Sequence, residues 1–278
     1  MAQTYVLYHA DCLDGFTAAW TFWKFNNPNA SFIPVRYGSP SPVISPGSDV
    51  YILDFSYNRK TLTDLSVRCL SLLVLDHHKT AQEDLKGLPF AVFDMNRSGA
   101  GLAWDYFALT SPLDEPRPWL VDYIEDRDLF RNRLPKTKEV SALTRSIPRT
   151  FQAWDRLSEM PLEQAQKLGE GCLAHLEGYI QATLPHAFLA TLDSIVLPLV
   201  NVAYEGASDV ANALLDYKWK TDVAGYYFER PDGQWQYGLR SNDYFDCSVL
   251  AKEFGGGGHK GAAGFVTSAP IHGRVPSE

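Results

Sequence analysis

The chain has 278 residues, 45% apolar and 21% charged, a composition that suits one large or two smaller packed domains and excludes a disordered or collagen-like chain. Its formal net charge is −8 and it has no long basic run, which argues against a grip on long nucleic acid. No stretch approaches the roughly 18 apolar residues of a membrane span, the first residues lack a secretory pattern, and Cys12, Cys69, Cys172 and Cys247 lie far apart without a CxxC. A cytoplasmic setting without disulfides, a structural zinc or a membrane partner is therefore expected. If the substrate is a phosphate compound, it should be small, with bound cations supplying much of the positive charge.

Residues 4–8 form a β-rich run that ends at His9. HADCLDGF follows, placing His9, Asp11, Cys12 and Asp14 in a loop, with Gly15 permitting a tight turn into the helical TAAWTFWKF. Residues 31–37 predict a second strand and 38–48, rich in Pro, Ser and Gly, a loop. Residues 49–55 predict a third strand containing Asp54, and 57–70 a helix. The apolar run SLLVL then stops at Asp76, His77 and His78. A short, bounded, Leu/Val-rich run suits a strand buried on both faces. A further strand is expected at 90–94, and Ser98 is a candidate N-cap for a helix over 99–109.

Strands alternating with helices imply right-handed crossovers and a parallel α/β sheet. The carboxyl ends of such a sheet share one edge, where ligands bind. His9, Asp54 and the Asp76–His78 triplet would meet there.

Residues 119–130, WLVDYIEDRDLF, start as a helix and become dense in acids, with Asp122, Glu125, Asp126 and Asp128. A solvated face with i,i+3 and i,i+4 pairs is the ordinary reading. Asp126 and Asp128 cannot share one helical face, so they have different roles. Residues 136–190 read as mostly helical and carry no chemical motif, and His175 and His186 there read as surface or packing histidines. Strand-like segments resume from about 191 and end in GGGGHKGAAGF at 255–265. Four glycines followed by His259 and Lys260 make either a flexible loop or a backbone cradle for a phosphate. Arg240, in GLRS, offers a fork to a phosphate or makes a surface ion pair.

His9, Asp14, Asp54, His77 and Asp126 supply two imidazoles and three carboxylates, a ligand set for divalent first-row metals. This set is too rich for one zinc ion with an open position. It suits two ions about 3.5–4 Å apart sharing a carboxylate, which would lower the pKa of a bridging water and clamp a phosphoryl oxygen. The oxygen-heavy mix favours Mn²⁺ ahead of Zn²⁺, with Mg²⁺ disfavoured by the histidines; Mg²⁺ or Co²⁺ could substitute.

HADCLDG at 9–15, DFS at 54–56, DHH at 76–78 and EDRDLF at 125–130, followed by GLRS at 238–241 and GGGGHKGAAGF at 255–265, resemble the DHH phosphoesterase superfamily over nearly the whole chain. The pairing of DHH with a late GGGH and AAG is specific; either alone is much less so. The resemblance is strongest to the short, two-domain oligoribonuclease or cyclic-nucleotide phosphodiesterase subgroup. It implies a DHH catalytic domain at 1–135, a helical connector at 136–190, a substrate-binding domain at 191–270, a tail at 271–278, and an active site in the cleft between the domains. It also implies two Mn²⁺ held by His9, Asp14, Asp54 as the bridging ligand, His77 and Asp126. His78 would face the substrate phosphate, and Arg240, His259 and the backbone of Gly256, Gly257 and Gly258 would bind the phosphate or terminal nucleotide. Asp54 and His78 carry the catalytic roles.

The family's first motif reads His-x-x-x-Asp-x-Asp. Here the spacing is one residue shorter and Cys12 falls near the place of the first Asp, with Asp11 an alternative ligand. The implied activity is hydrolysis of short oligonucleotides or small, including cyclic, nucleotide phosphodiesters. A RecJ-like single-strand exonuclease and a catalytically weak nucleotide sensor are the alternatives. No long duplex partner is expected, and a homodimer is left open.

Overall fold

The computed structural model describes every residue except 1, 11, 27, 28, 37, 114, 204, 205 and 276–278, and the chain divides into two compact units, Met1–Leu173 and Ala174–Glu278. The first is built on five parallel strands: β1 (Thr4–His9), β2 (Ser31–Val35), β3 (Asp49–Leu53), β4 (Ser71–Asp76) and β5 (Ala91–Phe93). Their spatial order is β2-β1-β3-β4-β5. The order therefore reverses between β1 and β3, and a crevice at the carboxyl ends of a parallel sheet forms at such a reversal.

The strands read as near-continuous apolar runs because both faces are covered. Val6, Leu53 and Leu75 face a cluster with Trp20, Phe22, Trp104 and Phe107, from helices α1 (Leu13–Phe25) and α4 (Gly99–Thr110). Their neighbours Leu7, Ile52 and Val74 face the opposite way, against Leu62 and Leu65 of α2 (Arg59–Arg68). Burying each such side chain stabilises the fold by about 1.5–3 kcal/mol, which holds the strand register firmly. A short helix, α3 (Lys79–Asp84), follows the DHH triplet directly and has no counterpart in the sequence reading. Helices α5 (Trp119–Asp128), α6 (Thr137–Ser146), α7 (Phe151–Glu159) and α8 (Leu162–Thr183) complete the helical part. Trp154 of α7 donates its indole N–H to Thr17 Oγ1 of α1 at 3.0 Å and is fully buried.

The second unit has a seven-stranded sheet in the order β10-β11-β9-β8-β7-β6-β12. Its strands are β6 (Phe188–Leu192), β7 (Ile195–Asn201), β8 (Val223–Glu229), β9 (Trp235–Ser241), β10 (Gly257–His259), β11 (Ala262–Thr267) and β12 (Gly273–Arg274). Among the described residues of this unit, only the β7–β8 pair is parallel. Helix α9 (Ala207–Asp216) packs on the face carrying Val200, Ala224 and Tyr226, and α10 (Cys247–Glu253) on the face carrying Leu199, Tyr237 and Leu239.

Two local expectations differ from what is observed. Residues 273–274 are not a loose tail but pair with β6. The ring of His272 lies against Tyr227 at a centroid distance of 4.2 Å, and the Tyr237 hydroxyl lies 2.8 Å from His272 Nδ1. A two-residue strand has no periodicity to betray it. Of the two readings of the glycine run, a flexible loop is not what is observed at Gly257 and Gly258. Gly255, at φ 76°, ends α10, and Gly257 and Gly258 enter the edge strand β10. A Cβ on Gly258 would stand 2.5 Å from the Ala262 carbonyl oxygen, so the tight β10–β11 hairpin demands glycine there. No helix among the described residues is long and apolar enough to cross a membrane.

Candidate metal centre

Asp54 follows β3 directly, its N–H bonded to the Leu75 carbonyl of β4 at 2.9 Å, and its backbone is left-handed at φ 64°. A buried non-glycine residue in that conformation is strained, which is a feature of sites where geometry matters more than stability. Two glycines close over it. A Cβ on Gly99 would stand 2.5 Å from Asp54 Cβ, and one on Gly15 would stand 3.0 Å from Asp54 Oδ2.

Asp14 lies in the first turn of α1. Its carboxylate accepts the N–H groups of Gly99 at 2.5 Å and Ala100 at 3.0 Å, in the first turn of α4. Ser98 caps that helix by accepting from the Gly101 N–H at 3.2 Å, as its position in the sequence suggests. Asp14 thus satisfies helix donors that would otherwise lack partners, and its charge sits at the positive end of α4.

His77 brings these acids together. Its Nε2 is 3.1 Å from Asp54 Oδ1, 3.7 Å from Asp14 Oδ2 and 3.7 Å from Asp128 Oδ2. On the other side of Asp54, His9 Nδ1 is 3.6 Å from Oδ2. Oδ2 itself is buried and has no hydrogen-bond partner. Three overlapping sets hold one ligand atom from each member within 4.8 Å of one another: His9, Cys12 and Asp54; Asp54, His77 and His78; Asp14, His77 and Asp128.

Asp76 has a different task. One oxygen accepts from the N–H groups of His77 and His78 at 2.7 and 3.1 Å and pairs with His78 Nδ1 at 2.6 Å. The other accepts from Ser56 Oγ at 2.5 Å. This carboxylate fixes the turn after β4 and the orientation of the His78 ring, the usual office of an acid behind a functional imidazole. The sequence placed Asp76 at the site edge but did not single it out as the acid behind His78.

Asp126, expected as a ligand, stands outside the cluster. Its carboxylate accepts from the N–H of Arg133 at 2.9 Å, the N–H of Leu134 at 3.2 Å and Thr137 Oγ1 at 2.6 Å. It braces the chain where left-handed residues Phe130 and Asn132 turn it back after α5. Glu125 is also structural, accepting from Arg97 Nη1 at 2.7 Å and from the Ser98 N–H at 3.2 Å. Asp128 is the acid of this motif that reaches the cluster. It lies two residues beyond Asp126, about 200° around a helix. The two-residue spacing was the signal that the acids differ, but not which one faces the sheet edge. Asp11 lies outside the described residues.

The electrostatics fit a cation. Burial and the charges of Asp54 and Asp128 push the Asp14 carboxyl well up. Burial and Asp54 push Asp128 up to about 6. Burial alone would raise Asp54 too, but His77, hydrogen-bonded at Oδ1, and the nearby His9 hold it well below the usual carboxylate range. Burial would depress His78, yet the hydrogen bond and charge of Asp76, with Asp54 and Asp128, push it up to about 9. Buried carboxylates crowd one another here, and a divalent cation is what relieves such repulsion. Asp54 belongs to two of the three ligand sets, so its carboxylate would be the group placed to serve two ions.

The DHHA1 domain model matches residues 195–272. An uncharacterised protein, R106, of Acanthamoeba polyphaga mimivirus is 30% identical over 302 residues, covering 98% of this chain and 69% of the viral protein. The chain belongs to the DHH phosphoesterase superfamily. Two solved structures share the fold of this DHH chain. The pGpG-specific phosphodiesterase PggH of Vibrio cholerae superposes with a TM-score of 0.50 at 13% identity, over 95% of this chain and 92% of PggH. An exopolyphosphatase-related protein of Bacteroides fragilis does so with a TM-score of 0.55 at 12% identity, over 97% and 88%.

In the DHHA1 part of this DHH protein, Arg240 ends β9. It donates from Nε to Ser208 Oγ at 3.0 Å and from Nη1 to the Leu239 carbonyl at 2.7 Å, and its guanidinium lies 5.9 Å from the Tyr226 ring centre. His259, exposed at the end of β10, pairs in register with Ala262, which itself stands opposite Arg240 on β9. Gly257 and Gly258 are β10 residues, and Gly256 packs so closely on β11 that a Cβ would stand 2.2 Å from the Gly264 oxygen.

Proposed function

We propose that this chain is a divalent-metal-dependent phosphodiesterase, with Mn²⁺ as its ion, that hydrolyses short oligonucleotides or small, including cyclic, nucleotide phosphodiesters. The observation that carries this reading is the convergence of His9, Asp14, Asp54, His77 and Asp128 in overlapping ligand sets at the carboxyl edge of the sheet, with Asp54 Oδ2 buried and without a hydrogen bond. Asp54 would be shared between two cations, and Asp14, His77 and Asp128 would complete one of the two positions. When bound, such cations polarise a phosphoryl oxygen and make water a better nucleophile near neutral pH.

The protein's own groups do the rest. Asp76 locks His78 through Nδ1 and keeps it protonated, so the ring presents positive charge beside the cluster. That charge would hold a non-bridging oxygen as negative charge grows on it. The Asp14 carboxylate, tied to the N-terminus of α4, keeps its geometry through the reaction. Arg240 and His259, with the backbone of Gly256, Gly257 and Gly258, are assigned to the substrate's phosphate or terminal nucleotide. The acidic chain favours small substrates over long strands, and the shared fold with PggH makes pGpG the first dinucleotide to try.

The test is hydrolysis of a panel by the purified protein with Mn²⁺ and then with EDTA: pGpG, a linear RNA dinucleotide, 24-mers of RNA and single-stranded DNA, 3′,5′-cyclic AMP and a nucleotide 3′,5′-bisphosphate. Fast, EDTA-sensitive cleavage of dinucleotides with little action on the 24-mers is the expected result. Preference for the long strands would replace the reading by a RecJ-like exonuclease. No turnover of any member would replace it by a nucleotide sensor.

A further inference from the structure

Cys12 immediately precedes α1, at a helix N-cap position where Ser, Thr, Asp or Asn would normally bond a helix N–H. Its thiol makes no capping hydrogen bond of ordinary geometry, only a weaker approach to the Gly15 N–H. Its sulfur instead falls within 4.8 Å of ligand atoms from His9 and Asp54. The oxygen of Asp54 on the His9 side, Oδ2, is the buried atom without a partner. Gly15, three residues beyond Cys12, is what lets the start of α1 approach so closely, since a Cβ there would stand 2.5 Å from the His9 carbonyl oxygen. The shortened first motif therefore substitutes sulfur for oxygen at the site instead of deleting a donor.

We propose that Cys12 is a metal ligand, and that with His9 and Asp54 it forms a nitrogen–sulfur–oxygen position that prefers a thiophilic divalent ion such as Zn²⁺ or Co²⁺. This rests on the metal-dependent reading above and refines it. The position formed by Asp14, His77 and Asp128 keeps an oxygen-rich set and its preference for Mn²⁺, so the two positions differ in the ion they select. The chemical ground is the match of soft thiolate to softer ions and of carboxylate to harder ones. The thiol proton passes to solvent as the metal–sulfur bond forms, so binding at this position is weakened by acid. The other described cysteines do not share the site: Cys69 packs beside the cluster of the opposite sheet face, Cys172 lies in α8, and Cys247 lies in the second unit.

The experiment is a Co²⁺ titration of the metal-stripped full chain, following thiolate-to-cobalt charge-transfer absorption in the near ultraviolet, with bound cobalt counted by equilibrium dialysis. The wild type should show the band, and Cys12→Ser and Cys12→Asp should lose it. In competition, Cys12→Asp should weaken Zn²⁺ by roughly tenfold or more, the scale at which even outer-shell changes register, while Mn²⁺ binding is retained. Cobalt bound by the wild type without the band, or a band that survives Cys12→Ser, overturns the proposal alone. Failure of the wild type to bind any cobalt, zinc or manganese overturns the metal-centre reading and this proposal with it. Should the variants misfold by circular dichroism, the wild type still decides. Zn²⁺ should slow alkylation of Cys12 by iodoacetamide, measured by peptide mass spectrometry, far more than Mn²⁺ does, and equal slowing or none refutes sulfur ligation.

Discussion

Asp126 and Asp128 sit two residues apart in one acidic run, and substitution of each should have opposite consequences. The Asp126 carboxylate accepts from two backbone N–H groups and from Thr137 Oγ1. Hydrogen bonds to a charged acceptor contribute about 1.5–3 kcal/mol each when one partner is removed. Thr137 has the Leu134 carbonyl as a second acceptor at 3.0 Å, so two bonds are lost without replacement. Asp126→Ala should therefore cost the first unit about 3–6 kcal/mol, a large share of the roughly 5–15 kcal/mol stability of a domain. Asp128 stands otherwise, because burial and Asp54 push its carboxyl up to about 6 in the metal-free fold. Removing its charge relieves repulsion, and Asp128→Asn should leave metal-free stability within about 1 kcal/mol of wild type. It should instead lower divalent-metal affinity by about tenfold or more, as loss of a ligand must exceed loss of an outer-shell partner. The assay is urea unfolding of the metal-free protein by tryptophan fluorescence, where buried Trp20 and Trp154 report on the first unit, beside calorimetric Mn²⁺ titration. A stable Asp126→Ala that has lost Mn²⁺ affinity, next to an Asp128→Asn that binds normally, would refute the assignment.

Three further outcomes follow from the same geometry. Asp76→Asn keeps an acceptor near His78 but removes the charge, so the His78 pKa should fall from about 9 toward the ordinary value of about 6.5; an unchanged imidazole titration by NMR of the metal-free protein would show that Asp76 does not hold that proton. Gly99→Ala drives a Cβ to 2.5 Å from Asp54 Cβ, which should cost about 1–3 kcal/mol and weaken Mn²⁺ binding, and normal stability with normal affinity would mean the close approach is not required. In the second unit, burial and the Arg274 charge hold His272 below its ordinary value, with the Tyr237 hydroxyl at its Nδ1. The unfolded chain then takes up the proton first. This contribution to stability is complete above about pH 6.5 and is lost as pH falls through the folded value. His272→Gln should flatten the decline in unfolding midpoint between about pH 7 and pH 5, and an identical slope in the variant would rule the group out.

The parallel sheet is legible in the chain because a strand buried on both faces requires an unbroken apolar run, and 72–75 is one that ends at a charged triplet. Chain order then places His9, Asp54 and His77 on one edge, since parallel strands all finish there. The short elements escape that logic. Strand β12 has two residues and is held by pairing with β6, and the glycines after α10 read as loop until the hairpin with β11 requires their lack of a side chain. The division between Asp126 and Asp128 is a longer-range matter. Both are acids in the same run, and their fate depends on Phe130 and Asn132 turning left-handed and delivering the Arg133 and Leu134 N–H groups to Asp126. The role of Cys12 is of the same kind. In the chain it is an irregularity in a motif, and it becomes a candidate ligand because β1, α1 and β3 bring its sulfur to His9 and Asp54. Local patterning fixes which face of an element is apolar, whereas the choice of which polar atom is left for a ligand depends on every other donor the folded chain has already satisfied.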